Sequence, residues 1–135
     1  MRQFPTQRLR RLRSSPALRD MLADTILRVE DLIAPLFVRE GSGVRREIAS
    51  MPGQFQFSVD TALETVRRWA DKGLRAVLLF GIPDAKDAVG SEAWNDEAAV
   101  QRLAGEVKRA LPETVVITDA CLCEYTDHGH CGTLA

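Results

Sequence analysis

The chain has 135 residues, 45% of them hydrophobic and 27% charged, with a formal net charge of -1. That is the balance of one ordinary globular domain, and its charge offers no electrostatic case for binding nucleic acid. No apolar run approaches the roughly 18 to 20 residues that cross a bilayer, so a membrane partner is not expected.

Charge is uneven at the start, where Arg2, Arg8, Arg10, Arg11, Arg13 and Arg19 all precede the first acid, Asp20. An Arg-rich, acid-free opening fits an organelle transit peptide, an arm that binds a partner surface, or a plain solvated terminus. No apolar segment follows it, which excludes a secretory signal. A short helix is expected around Ala17 to Asp24. Leu32 to Val38 reads as a buried strand, irregular at Pro35 or starting later, because proline has no N–H to give to a ladder. Gly41 to Phe57 reads as a polar connector containing Gly41, Gly43, Pro52 and Gly53.

A helix follows, with Ser58 as its N-cap. Val59, Ala62, Leu63, Val66, Trp69 and Ala70 keep the spacing of one buried face, and Gly73 stands where a left-handed terminator is expected. Ala76 to Phe80 is a second strand, continuously apolar as strands covered on both faces are. Gly81 to Trp94 is a loop. Asn95 is expected to cap the next helix, with Asp96 and Glu97 in its first turn. Val100, Leu103, Val107, Ala110 and Leu111 form its apolar stripe, and Pro112 ends it. Thr114 to Ala120 is the third strand.

Strands alternating with helices argue for βαβ crossovers and a parallel sheet, either an open doubly wound sheet or an eight-stranded barrel. A complete barrel takes about 250 residues. Three strands are supplied here, which reads as truncation; an unclosed barrel would leave exposed sheet edges and a tendency to aggregate. No glycine-rich nucleotide-binding loop follows a strand, which leaves little for a phosphate-binding domain.

The chemistry concentrates near the end. Cys121, Cys123 and Cys131 are the three cysteines of the chain and lie within eleven residues. An odd, clustered set makes a poor disulfide framework, and in a reducing compartment such clusters more often bind metal or do chemistry. Side chains two apart on a strand share a face. If the extended conformation persists, Val115, Ile117, Asp119, Cys121 and Cys123 therefore line up, with the carboxylate and two thiols at the C-terminal end where parallel α/β proteins build sites. Gly129 and Gly132 let the chain fold back and bring Cys131 to the pair. Three thiolates suit zinc first and leave a fourth position open. The spacing also admits His128 or His130 as a fourth ligand, a closed structural zinc site, or three buried structural thiols, and Asp119 as a simple capping carboxylate.

The segment Asp119-Ala120-Cys121-Leu122-Cys123-Glu124-Tyr125-Thr126-Asp127-His128-Gly129-His130-Cys131-Gly132 resembles the zinc segment of the porphobilinogen synthase family almost without gaps. Asp31 to Gly41 resembles that family's first strand, and Phe80 to Asp87 with Gly90-Ser91 its second-strand loop. Met51-Pro52-Gly53 and the basic start Arg8 to Arg13 are similar as well, so the resemblance runs through nearly the whole chain.

The resemblance implies the N-terminal part of a TIM (β/α)8 barrel: a basic arm over residues 1–30, then the first strands and helices of an incomplete barrel over 31–135, ending in the zinc-binding loop. It implies a cytoplasmic lyase that condenses two 5-aminolevulinate molecules to porphobilinogen with loss of two waters, in haem and other tetrapyrrole biosynthesis. It implies a homo-octamer assembled through the arm, a zinc ion, and a place for an allosteric magnesium in the full-length protein. Residue by residue, Cys121, Cys123 and Cys131 match the zinc ligands, Asp119 an active-site carboxylate, and His130 a residue that ligates an additional metal in some relatives. The family activates its substrates as Schiff bases on two lysines of later strands. Lys72, Lys86 and Lys108 match neither, so this chain by itself is expected to be inactive. A non-catalytic zinc-binding or association module derived from the family is the alternative.

Overall fold

A computed structural model describes residues 10–132 of the chain; Arg2 and Arg8 of the basic start lie outside the described residues. Among the described residues five strands, β1 (Ile33–Arg39), β2 (Arg45–Glu47), β3 (Phe55–Phe57), β4 (Ala76–Ile82) and β5 (Val115–Thr118), form one sheet in the order β2-β3-β1-β4-β5. The helices are α1 (Pro16–Met21), α2 (Val59–Ala70) and α3 (Ala99–Ala110). β1, β4 and β5 run parallel, with Ile33 beside Ala76 and Ala76 beside Val115. A helix lies between each successive pair in sequence, which is the repeating unit of a β/α barrel.

One face of this sheet is the core. Leu36 and Val38 of β1 and Val77 and Leu79 of β4 pack with Ala62 and Val66 of α2 and with Leu103 and Val107 of α3. Burial along β4 alternates strictly, fully buried toward the helices and half-buried on the other side. The apolar run of β4 therefore has helices on one face only among the described residues. On the opposite face Phe37 and Phe80 stack at 5.5 Å, as inward-pointing residues of a barrel would.

β1 starts one residue later than expected and is regular through Pro35. It pairs with β4 along its whole length but with β3 only at Phe37 and Val38. At Pro35 one flank carries no ladder, which is the condition under which a strand tolerates a missing N–H. The expected connector Gly41 to Phe57 is instead an antiparallel hairpin, with Arg45 opposite Phe57 and Glu47 opposite Phe55. Its second strand covers the outer edge of β1, so the sheet is broader and less exposed than three strands would be.

Two helix termini differ from expectation, while Gly73, Ser58 and Pro112 stand where expected. Gly73, at φ 97°, ends α2 as expected, with the Leu74 amide on the Trp69 carbonyl at 3.0 Å and the Gly73 amide on Ala70 at 2.9 Å. α1 stops at Met21 rather than Asp24, capped by Ser15, whose hydroxyl accepts the Leu18 amide at 3.2 Å. α3 is capped at Ala98 rather than Asn95. A 3₁₀ turn over Ser91–Trp94 comes first, and Asn95 spends its side chain on the Glu97 amide and its carbonyl on Ala98. Asp96 and Glu97 thus precede the helix. Val100, Leu103 and Val107 of the predicted stripe are buried, whereas Ala110 is exposed.

Ser58 stands at the N-cap of α2, but its hydroxyl does not bond the helix amides. It accepts the Val44 amide at 2.8 Å and donates to the Asp60 carboxylate, which also takes the Gly43 amide at 2.8 Å. These bonds, the Ser58 hydroxyl's first, hold the Asp60 carboxyl down at about 2. A carboxylate with a depressed pKa stabilises the fold above its unfolded value, and that contribution fades as pH falls through the folded one. The stability difference between wild type and Asp60→Asn should therefore be full above pH 4, shrink between pH 4 and 2 and vanish below. Urea midpoints measured across that range check it.

Candidate metal centre

β5 ends at Thr118, two residues before the expected end, and the chain turns immediately. The Asp119 amide makes a last bond to the Leu79 carbonyl at 3.3 Å, and Asp119 Oδ1 accepts the Cys121 amide at 3.2 Å. The amides of Tyr125 and Thr126 both bond the Leu122 carbonyl, at 2.9 and 3.0 Å. Cys121 and Cys123 are therefore brought together by a turn and not by a shared strand face, correcting the expectation of an extended run through Cys123. Gly129 and Gly132, at φ 71° and 87°, supply left-handed positions that return the chain. The Thr126 hydroxyl fixes the returning segment through the His130 carbonyl at 2.8 Å.

The three sulfurs converge. Cys121 Sγ lies 2.8 Å from Cys123 Sγ and 2.8 Å from Cys131 Sγ, and the three ligand atoms fall within 4.8 Å of one another. All three cysteines are free. A tetrahedral zinc with sulfurs at ~2.3 Å holds them about 3.8 Å apart. Seating the ion takes a spread of about one ångström, and the cluster sits on a surface turn where such a spread is feasible. The donor set itself, three thiols on one side and solvent on the other, fits a soft or borderline metal with an open position.

Protonation follows the same geometry. The Cys121 thiol, bonded to both neighbours, is pushed up to about 12, while Cys131 is lowered by the hydrogen bond from Cys121 and by the amides of Cys123 and Leu122. Cys131 therefore gives up its proton before Cys121 does. A cation must displace these protons to bind, so binding releases protons and weakens in acid.

Neither histidine ring joins the gathered sulfurs. His128 Nδ1 accepts the His130 amide at 3.2 Å and Nε2 lies 3.2 Å from the Ala88 carbonyl, which occupies both nitrogens. The two rings stack at 5.9 Å. Asp119 is exposed beside the thiols, and with Cys121, Trp94, Gln101 and Tyr125 it lines a cavity of about 320 Å³.

Two residues of the turn carry more than their sequence signal suggested. Glu124 has a buried, unpartnered Oε2, and burial, then the Asp119 charge, raises its carboxyl above the ordinary range. Tyr125 is buried against β4, where a Cβ on Gly81 would lie 2.0 Å from its hydroxyl. Both stand inside the motif already noted, but neither a lone glutamate nor a tyrosine has a spacing that marks it. Lys108 donates to the carbonyls of Pro112 and Thr114, at the opposite end of β5.

Comparison with known proteins decides the family. The family model for delta-aminolevulinic acid dehydratase matches residues 6–135. The chain belongs to the delta-aminolevulinic acid dehydratase family. It is 50% identical over 131 residues to the dehydratase of Synechococcus elongatus, and 51% identical over 129 residues to that of Helicobacter pylori. These matches cover 97% and 95% of this chain, and 40% of each relative. Among solved structures it is similar to the dehydratase (porphobilinogen synthase) of Toxoplasma gondii in complex with the reaction product porphobilinogen, with a TM-score of 0.87 and 30% identity. That match covers 96% of this chain and 37% of the other. The chain thus spans about 40% of the length of these dehydratase relatives, and its sheet and helices are part of a TIM barrel.

The packing of Tyr125 on Gly81 gives a test within this dehydratase segment. Gly81→Ala should cost about 1 to 3 kcal/mol by overpacking. Gly105→Ala, on the exposed side of α3, where an added Cβ meets nothing within 4 Å beyond its own helix among the described residues, should instead stabilise by up to about 1 kcal/mol. Denaturant midpoints of the two variants should move in opposite directions.

Proposed function

We propose that this chain forms the metal-binding part of a porphobilinogen synthase that condenses two 5-aminolevulinate molecules with loss of two waters. The observation that carries the reading is the convergence of Cys121, Cys123 and Cys131 beyond the C-terminal end of a parallel strand. That is the end of a β/α barrel on which catalytic groups are placed.

In this reading Cys121, Cys123 and Cys131 hold zinc as thiolates, leaving one position for the second substrate. Zinc, when bound, supplies Lewis-acid polarisation of a carbonyl oxygen. Asp119 receives the substrate amino group. Its Oδ1 is tied to the Cys121 amide, so the carboxylate and the sulfurs keep one geometry, and its negative charge suits an ammonium or takes its proton. His130, adjacent to Cys131, is the candidate for an additional metal. Schiff-base formation, which turns a ketone into a better electrophile, is assigned to lysines outside these residues. Lys72 is exposed in a turn, Lys86 is exposed in the loop after β4, and Lys108 is committed to carbonyls. That placement also favours the second reading, a zinc-binding or association module without turnover.

Residues 1–30 are assigned to association with a second copy, in an octamer of the cytoplasmic enzyme. Met21, Ile26 and Leu27 support this, being 74%, 75% and 74% exposed on a segment with a basic start. An allosteric magnesium belongs to the full-length protein in the same reading.

Metal analysis tests the ligand set, and turnover separates the two readings. The chain should bind one zinc, and Cys121→Ala, Cys123→Ala and Cys131→Ala should each abolish it. The complete enzyme should make porphobilinogen and lose this on chelation, while the 135-residue chain alone should make none. Full turnover by metal-free enzyme would contradict the zinc assignment, and turnover by the short chain would contradict the lysine assignment.

A further inference from the structure

The cysteine turn is braced by a loop that contributes no ligand, the segment between β4 and α3. One side chain organises that loop. Asp87 Oδ1 accepts the amides of Val89, Gly90 and Ser91 at 3.0, 2.5 and 3.0 Å, and Oδ2 accepts the Ser91 hydroxyl. These bonds, the hydroxyl's first, keep its carboxyl below the usual range.

The same loop then meets the cysteine turn backbone to backbone. Asp87 forms a parallel bridge with Thr126, and its carbonyl accepts the Asp127 amide at 3.0 Å. The next carbonyl, Ala88, lies 3.2 Å from His128 Nε2. Gly90, left-handed at φ 70°, passes so close that a Cβ there would be 3.3 Å from both Thr126 Cγ2 and Tyr125 Cβ. Thr126 is 1% exposed, and its hydroxyl holds the His130 carbonyl, one residue before Cys131. A continuous set of bonds therefore runs from the Asp87 carboxylate to the limb of the turn that carries Cys131. Cys131 is the exposed member of the cluster, and the one most in need of outside support.

We infer that Asp87 is a positioning residue for the metal centre, setting from a separate βα loop how closely Cys131 approaches Cys121 and Cys123. This rests on the reading that the three cysteines hold zinc. Outer-shell groups usually bond a ligand directly and set its orientation; Asp87 does so through the backbone of the turn. Its loss leaves the cysteines present but their spacing loose, which weakens metal retention.

The test is zinc affinity of the full chain by competition with a chromophoric chelator, with the cobalt(II) thiolate absorption as a second readout. Asp87→Ala should bind zinc about tenfold or more weakly and show an altered cobalt spectrum, while the metal-free protein keeps its far-UV signal. Asp87→Asn, which keeps an oxygen for the three amides, should recover most of the affinity. Unchanged affinity in Asp87→Ala, with zinc lost in Cys121→Ser, would overturn this inference and leave the zinc reading standing. Absence of zinc binding in the wild type would overturn both. Should Asp87→Ala fail to fold, Ser91→Ala removes one of the four bonds and decides the point: weaker zinc supports the inference, unchanged zinc overturns it.

Discussion

The ladder between β4 and β5 sets Ala76 beside Val115 and Leu79 beside Thr118, and the Asp119 amide adds one last bond to the Leu79 carbonyl. Everything at the metal centre depends on where that ladder stops. Past Thr118 the chain is free to turn, and it turns at the rim of the sheet beside the loop that leaves β4. The ladder is held in place by the helix-facing core, in which Leu79, Val107 and Leu103 are almost fully buried. A slip of one residue would exchange the two faces of β5, turning Val116 out of the helix-facing core it packs against.

A site built this way places soft donors and hard charges side by side. Three thiols gather on the turn, the Asp119 carboxylate stands exposed next to them, and the Glu124 carboxyl is partly buried behind. Burial and the Asp119 charge both disfavour an ionised Glu124. Three thiols within 4.8 Å cannot all ionise cheaply without a cation among them. The electrostatics of the turn and the chemistry of its donors both suit a metal cation.

Much of this was legible in the sequence, for reasons that differ by element. The cores of β1, β4, α2 and α3 announce themselves because apolar residues at strand or helix spacing have few other uses. Gly73 was readable because a left-handed terminator has a strong residue preference. The cysteines were readable as a cluster, but their route to one another was not. An i, i+2 pair reads as a strand face until the strand is known to end, and Thr118 carries no breaker signal. The hairpin of Arg45–Glu47 and Phe55–Phe57 was missed because three-residue strands are too short to show a period. Asn95 misled because a capping side chain serves a turn as readily as a helix, and here it serves the turn before Ala98. The brace from Asp87 is a matter of backbone bonds between distant segments, for which the sequence alone holds no pattern.

The central claim is that Cys121, Cys123 and Cys131 act together as the ligands of one metal ion. X-ray absorption at the zinc edge of the zinc-loaded protein addresses it directly. The account predicts a first shell with three sulfurs at ~2.3 Å and one lighter atom, oxygen or nitrogen, completing it. A first shell of oxygen and nitrogen alone, or one with a single sulfur, would contradict it.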